Sequence, residues 1–143
     1  MDRSRKDTDD LSSSLMEAPN LDAFLSENDE SFTRQNVQDL LQQLFLKTNL
    51  TKAELARRSG VSTVYLHQLF SGRRNPSRNR LICLAIGLSA TLEETQMLLR
   101  RSGQAELYPR DRKDAIILFG ITHRRSIQQI NDDLFSKGED TLL

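Results

Sequence analysis

The stretch "GVSTVYLHQLFSGRRNPS", Gly60 to Ser77, has the pattern of a tight turn followed by one short helix. Ser62 is a residue type that often caps a helix N-terminus, and Gly72 favours the end of the helix. Between them, apolar Leu66 and Leu69 recur at helical spacing. Two arginines, an asparagine and a proline follow directly. The stretch therefore predicts an amphipathic helix with a basic segment at its C-terminal end.

A second short helix is predicted immediately before it, in "NLTKAELARRSG", Asn49 to Gly60. Asn49 or Thr51 is expected to cap this helix, and Gly60 to end it in a left-handed conformation. Two short helices joined by a glycine turn have the dimensions of a helix-turn-helix. The sequence thus predicts a helix-turn-helix over about 20 residues.

The second helix has two different faces when it is projected at about 100° per residue. Leu66, Leu69 and Phe70 face one way, towards a core. The opposite side is small and mostly uncharged, and Tyr65 lies at its flank; this outward side carries Thr63, Val64, His67, Gln68 and Ser71. Such a face suits a helix that enters a DNA major groove about 12 Å wide.

The neutral overall charge hides a strong separation of charge along the chain. The sequence has 20 basic and 20 acidic side chains. Residues 47–80 contain eight bases against Glu54 alone, a net charge of +7. Residues 1–31 contain nine acids against three bases, a net charge of −6. A compact segment of one sign is typical of a surface that binds a polyanion. We expect the basic segment to meet phosphates while the neutral face contacts base edges.

Helical periodicity runs through the chain without a persuasive two-residue alternation, so the sequence predicts an all-α fold. Residues 1–31 are acidic and serine-rich and are expected to be largely disordered, with at most a short helix in "LDAFLSE". Residues 32–103 form the predicted DNA-binding domain, which begins with a helix capped by Thr33. Residues 104–143 are expected to form a helical hairpin that begins near Pro109.

This C-terminal hairpin loosely repeats the unit before it. If two residues are inserted in the second turn, Gly87 aligns with Gly120. Beyond the insertion the matched positions are Leu92, Leu99, Gly103 and Leu107 with Ile127, Leu134, Gly138 and Leu142. The pattern fits an internal duplication, and it fits equally well any two capped helical hairpins.

The two short helices and their glycine turn resemble the helix-turn-helix of the phage repressor and Cro type, often called the XRE family. The resemblance runs from Val37 to about Leu99. Its markers are Leu50-Thr51, Glu54-Leu55-Ala56, Gly60-Val61-Ser62, Leu66, Leu69, Gly72 and Asn75-Pro76-Ser77, with ungapped spacing from Gly60 to Ser77. The resemblance implies a compact five-helix domain, a homodimer on double-stranded DNA, and transcriptional control, with repression as the expected outcome.

The resemblance also implies a set of DNA-binding residues. Lys52 corresponds to a position that meets phosphate and a base, and Arg73, Arg74 and Asn75 correspond to a loop that contacts the DNA backbone. The base-reading positions and their neighbours on the second helix are Ser62, Thr63, Val64, Tyr65, His67 and Gln68. Gln68 is the one side chain of this face able to make a bidentate contact to adenine.

Three departures from the family pattern leave a second function open. Val64 and Tyr65 replace small polar residues common in the family, and Phe70 stands where an acidic residue is frequent. A domain converted into a non-catalytic adaptor would show similar losses. Such an adaptor would bind a protein, as an antitoxin or a kinase-associated partner does. The C-terminal helices, Pro109 to Leu142, are expected to supply the dimer contact or a surface for a protein partner. Equally, they fit a role in which they only cover the apolar back of the fourth and fifth helices within one chain.

Other kinds of site are not expected. The single cysteine, Cys83, excludes an internal disulfide and is expected to be buried. His67 and His123 lack partners at metal-ligand spacing, and no motif points to a nucleophile, a cofactor or an enzyme. No apolar run reaches the roughly 18 residues of a membrane span, so a cytoplasmic location is expected.

Overall fold

In a computed structural model, the protein is all-helical over the residues described, 8–27 and 36–143. These residues fall into two compact units. The first contains α1 (Thr8–Glu17) and α2 (Leu21–Glu27). Helix α2 lies where the sequence predicted a short helix. Helix α1 lies in the segment expected to be largely disordered. That expectation rested on its polar composition, which includes three consecutive serines. Residues 1–7 and 28–35, which include the Thr33 cap predicted above, are outside the described part.

The second unit contains seven helices in the part of the chain from residue 36 onward. They are α3 (Asn36–Leu46), α4 (Lys52–Ser59), α5 (Thr63–Phe70), α6 (Arg78–Gly87), α7 (Leu92–Arg101), α8 (Arg112–Thr122) and α9 (Ile127–Ser136). Helix α6 lies at the centre, against α4, α7 and α9. Five of its ten side chains are almost fully inaccessible, because "LICLA" is apolar on every face.

Local sequence signals fix α4 and α5, the two helices of the predicted motif. Thr51 and Glu54 form a capping box at the start of α4, so Thr51 rather than Asn49 is the cap. Gly60 ends α4 with φ of 71°, a left-handed conformation that disfavours any side chain. Ser62 caps α5, and its Oγ accepts a hydrogen bond from the Tyr65 N–H at 3.0 Å. The helix-turn-helix prediction is confirmed.

Helices α4 and α6 approach closely at one point. Ser59 in α4 is fully buried, and a Cβ on Gly87 in α6 would overlap its side chain. The Ser59 Oγ has no hydrogen-bond partner within the described residues. The sequence pattern had predicted only that a helix ends near Gly87. In the structure, the missing side chain is what lets the two helices touch.

The pairs α6–α7 and α8–α9 are built alike, at a constant spacing of 35 residues. Ser89 and Arg124 both have positive φ, 54° and 53°, in the two inter-helix turns. Thr91 and Ser126 both open a helix with a capping box. The side-chain amide of Gln96 accepts a hydrogen bond from the Leu107 N–H at 2.7 Å. That of Asn131 does the same for Leu142, also at 2.7 Å.

This spacing corrects the sequence alignment in its first part. The turn hydrogen bond from Ala90 N–H to Ala85 O recurs as Arg125 N–H to Gly120 O. Gly120 therefore corresponds to Ala85, not to Gly87, and the two-residue insertion is wrong. The predicted matches from Leu92 onward hold. The start of the second hairpin is also corrected: α8 begins at Arg112 with Asp111 as its cap, and Pro109 lies in the turn before it.

One hydrophobic core joins the two hairpins to the helix-turn-helix. Leu107, Ile117, Ile130 and Leu142 are buried in the same cluster as the side chains of α4 and α5. The chain terminus reaches back to the motif itself, because a Cβ on Gly60 would overlap the side chain of Leu143. Residues on both sides of the boundary predicted at residue 103 thus share one compact unit.

Candidate nucleic-acid interface

The outward face of α5 is accessible, as the helical projection predicts. Leu66 and Leu69 are fully buried, which fixes the rotation of the helix on the core. Thr63, Val64 and His67 are exposed, and Gln68 is partly exposed. Val64 leaves 66% of its surface open to solvent. An apolar side chain this accessible can offer a methyl contact to thymine, and it can equally meet an apolar protein surface.

Tyr65 lies half-buried at the edge of this face, where two arginines stack on it. The Arg74 and Arg80 guanidinium carbons are 5.4 and 5.5 Å from the centre of its ring. Burial raises the pKa of the Tyr65 phenol above its usual range. The ring therefore holds two cations near the edge of this face, each by a cation–π contact. The sequence had placed Tyr65 on the flank, and it counted Arg80 only among the bases of the basic segment.

Lys52 is the first residue of α4 and lies beside the start of the motif. Its ammonium nitrogen is 5.7 Å from the centre of the Phe70 ring, and Phe70 packs on Phe45 at 5.5 Å between ring centres. Phe70, which replaces the family's common acid, thus supports Lys52 through an aromatic face. Glu54 is engaged in the capping box, and the hydrogen bond from the Thr51 backbone lowers the pKa of its carboxyl.

The loop after α5 presents the predicted backbone-contacting residues to solvent. Gly72, with φ of 79°, turns the chain away from the helix end. Arg73, Arg74 and Asn75 are all exposed. Pro76 is buried and anchors the loop, and Ser77 then caps α6. Two accessible guanidinium groups on an anchored loop suit contact with a phosphate backbone.

Fewer bases of the basic segment, residues 47–80, are unpaired in the folded structure than the sequence count suggests. Arg78 donates to both carboxylate oxygens of Asp114, at 3.2 and 2.9 Å. Lys47 pairs with Glu94 at 2.9 Å. Two of the eight bases counted in residues 47–80 are thus neutralised by acids from later helices. The remaining excess of positive charge includes Arg73, Arg74 and Lys52.

No other chemistry is evident among the described residues. Cys83 is buried, as expected, and burial raises the pKa of its thiol to about 11. Within residues 8–27 and 36–143, no group of three metal-binding side chains comes together. No helix in the same part of the chain is long and apolar enough to cross a bilayer.

Comparison with protein families supports what the geometry indicates. Residues 41–94 match the family model described as helix-turn-helix. Comparison with curated proteins gave no match, and comparison with solved structures gave none. The matched segment spans α4 and α5 with their supporting helices, so this part of the chain is a helix-turn-helix domain. This segment is similar to the DNA-binding domains of the phage repressor and Cro type, the XRE family. Domains of this family are generally not enzymes.

Proposed function

We propose that the protein is a sequence-specific transcriptional regulator of the repressor type, without catalytic activity. The segment Ser62 to Ser71 would lie in the major groove of double-stranded DNA. The observation that supports this proposal most is the neutral, accessible face of α5 beside the exposed Arg73 and Arg74. Such a regulator would act in the cytoplasm of a prokaryotic cell, where its operator lies.

The roles of Gln68 and Arg73 can be separated by comparing specific and random DNA. Selection of bound duplexes from a random pool supplies the specific site. Gln68→Ala should then weaken the free energy of binding to that site by about 1–3 kcal/mol, because a bidentate base contact is lost. It should change binding to random DNA little. Arg73→Ala should weaken both alike and lower the salt slope by about one. Arg110→Ala, an exposed arginine outside the domain, is the matched control. Equal losses on both DNAs would remove Gln68 from the reading face.

We further propose that two copies pair through the outer face of α8 and α9. One recognition helix covers few base pairs, so proteins of this kind bind half-sites about 34 Å apart as two-fold dimers. Phe119 of α8 is 55% exposed and Phe135 of α9 is 79% exposed, so each helix carries one large accessible apolar side chain. The repeat adds a second reason. Leu84, 35 residues before Phe119, is fully buried. In a two-fold dimer, the α8–α9 hairpin of the second copy would cover Phe119.

Sedimentation tests this dimer without removing core residues. The unaltered protein should sediment as a dimer, and Phe119→Asp should sediment as a folded monomer. The variant should bind one half-site but lose cooperative binding to paired half-sites. Leu46→Asp is the control, because Leu46 is a 70% exposed apolar residue on another helix. A dimeric Phe119→Asp variant would place the interface elsewhere.

The adaptor function is the second candidate, and the exposure of Val64 favours it. An apolar residue at the centre of the reading face suits an apolar partner as well as thymine. The salt dependence of DNA binding separates the two functions. Neutralising several phosphates gives a steep negative slope of log affinity against log salt. A shallow slope, with no sequence enriched from the random pool, would favour the adaptor.

A further inference from the structure

A cleft of about 620 Å³ lies between the turns of the two repeated hairpins, next to the end of α4. Its volume is in the range of small-molecule sites. One wall is the α6–α7 turn, from Ser89 to Leu92, and the opposite wall is the α8–α9 turn, from Arg124 to Gln129. Arg58 of α4 closes a third side. The cleft is therefore formed jointly by the helix-turn-helix and the C-terminal hairpin.

The residues that line the cleft include three arginines and no carboxylate. Arg125 is paired with Asp133 at 3.0 Å. Arg58 donates only to the Ser89 hydroxyl, at a long 3.4 Å. Arg124 makes no ion pair with any described residue. Neither the Arg58 nor the Arg124 guanidinium therefore forms an ion pair within the described residues, although the Arg58 charge contributes to lowering the pKa of Glu54. Helices α7 and α9 also begin at its walls, and their positive ends add to the potential.

Part of the cleft lining is apolar. Ile86, Leu92 and Ile121 line it and remain partly accessible to solvent. A ligand suited to this lining would have an anionic group for the arginines and an apolar portion for the floor. Arginine binds phosphate and carboxylate through paired, charge-assisted hydrogen bonds, so either group fits.

The cleft is also separate from the surface assigned to DNA. The loop with Arg73 and Arg74 precedes the N-terminus of α6, whereas Ser89 follows its C-terminus. Ten helical residues, about 15 Å along the axis, lie between the two ends. Helix α4 likewise runs from Lys52 to Arg58, from the proposed DNA side to the cleft.

We propose that this cleft binds a small organic anion, a phosphate or carboxylate attached to an apolar group. Bound there, the anion joins Arg58 of the DNA-binding motif to Arg124 of the C-terminal hairpin. A ligand that bridges these two parts holds α4 and the C-terminal hairpin in one arrangement, and so links an effector to the DNA-binding motif. The site itself does not depend on the proposed function in transcription.

Phenyl phosphate is a suitable probe, with phenol and inorganic phosphate as its uncharged and ring-free counterparts. In the full-length protein, amide NMR shifts should saturate with phenyl phosphate and concentrate at residues 89–92 and 124–129. Inorganic phosphate should bind more weakly, and phenol should not saturate. Benzoate replaces phenyl phosphate in a second titration, which distinguishes a carboxylate from a phosphate ligand. Arg58→Ala and Arg124→Ala should each raise Kd about tenfold or more. Arg110→Ala, the matched exposed arginine, should leave Kd within about twofold.

Two results would overturn the proposal. One is an absence of saturable shifts at the cleft with both anionic probes up to about 10 mM, a concentration at which even weak specific binding is visible. The other is a loss of random-duplex affinity in Arg58→Ala and Arg124→Ala as large as that in Arg73→Ala, which would make the cleft part of the DNA surface. DNA binding is measured separately from probe binding, so a failure of the cleft leaves the transcriptional proposal intact.

Discussion

Replacing Arg78 with alanine should destabilise the unit formed by α3 to α9, because it removes the cation from a buried carboxylate. The Arg78 guanidinium binds both oxygens of Asp114, and it also donates to the carbonyls of Ala105 at 2.9 Å and Glu106 at 3.1 Å. Asp114 is only 5% exposed. These contacts tie the first residue of α6 to α8 and to the segment that joins the hairpins.

Arg78→Ala is expected to lower the free energy of unfolding by about 2–4 kcal/mol. Removing one partner of a fully buried ion pair costs about 3–5 kcal/mol, since the other charge stays buried. The Arg78 side chain is 26% exposed, so water screens part of the interaction. Asp114 also keeps its hydrogen bond from the Tyr108 N–H at 2.9 Å. Arg78→Lys should lower the free energy of unfolding by about half as much. A lysine keeps the charge but cannot donate hydrogen bonds to the carboxylate and both carbonyls at once.

Urea unfolding measures the effect. With a slope of about 2 kcal/mol/M, the midpoint of Arg78→Ala should fall by about 1–2 M. Arg110→Ala, an exposed control, should leave it nearly unchanged. Because Asp114 already occupies Arg78, the salt slope of DNA binding should not change, in contrast to Arg73→Ala. A loss below about 1 kcal/mol, or a salt slope reduced by one, would refute this reasoning.

Three further predictions concern packing and pH. Gln96→Ala and Asn131→Ala should each lower the free energy of unfolding by about 1–2 kcal/mol, and Gln96→Ala by the larger amount, since Gln96 also donates to the Leu107 carbonyl; a neutral effect of either variant would contradict the bracing role. Gly87→Ala should destabilise by about 1–3 kcal/mol, because its methyl group overlaps Ser59, and a neutral effect on thermal unfolding would disprove that contact. The backbone hydrogen bond from its cap lowers the pKa of Glu94 from 4.5. The stability it contributes is therefore present above pH 4.5 and is lost as pH falls through the folded pKa. Urea midpoints from pH 6 to pH 3 should fall less steeply in Glu94→Gln than in the unaltered protein.

Local signals in the sequence were enough for the helix-turn-helix. Thr51, Gly60 and Ser62 act through hydrogen bonds and φ angles that involve only their near neighbours, so their roles could be predicted directly. The burial of Leu66 and Leu69 follows from helical periodicity, which holds wherever the helix packs. The all-α class and the accessible face of α5 were predictable for the same reason.

The structural repeat shows where sequence comparison needs coordinates. The sequence matched the hairpins from Leu92 onward, since buried positions and capping residues recur there at constant spacing. It misaligned Gly87 with Gly120, because a shared residue type outweighed the geometry of the turns. Ser89 and Arg124 have no common side chain, and their positive φ values and the hydrogen bond that recurs in the two turns reveal that they are equivalent.

Charge was the property that tertiary structure changed most. The sequence counted Arg78 and Lys47 with the DNA-binding bases, yet Asp114, 36 residues from Arg78, and Glu94, 47 residues from Lys47, neutralise them. The cleft at Arg58 and Arg124 likewise brings together side chains from two distant turns. The sequence by itself determined α4, α5 and their caps, together with the buried faces of these two helices, because these depend on contacts within about one helical turn. Only the packing of one hairpin on another decided which cations stay free, because that depends on distances between residues far apart in the chain.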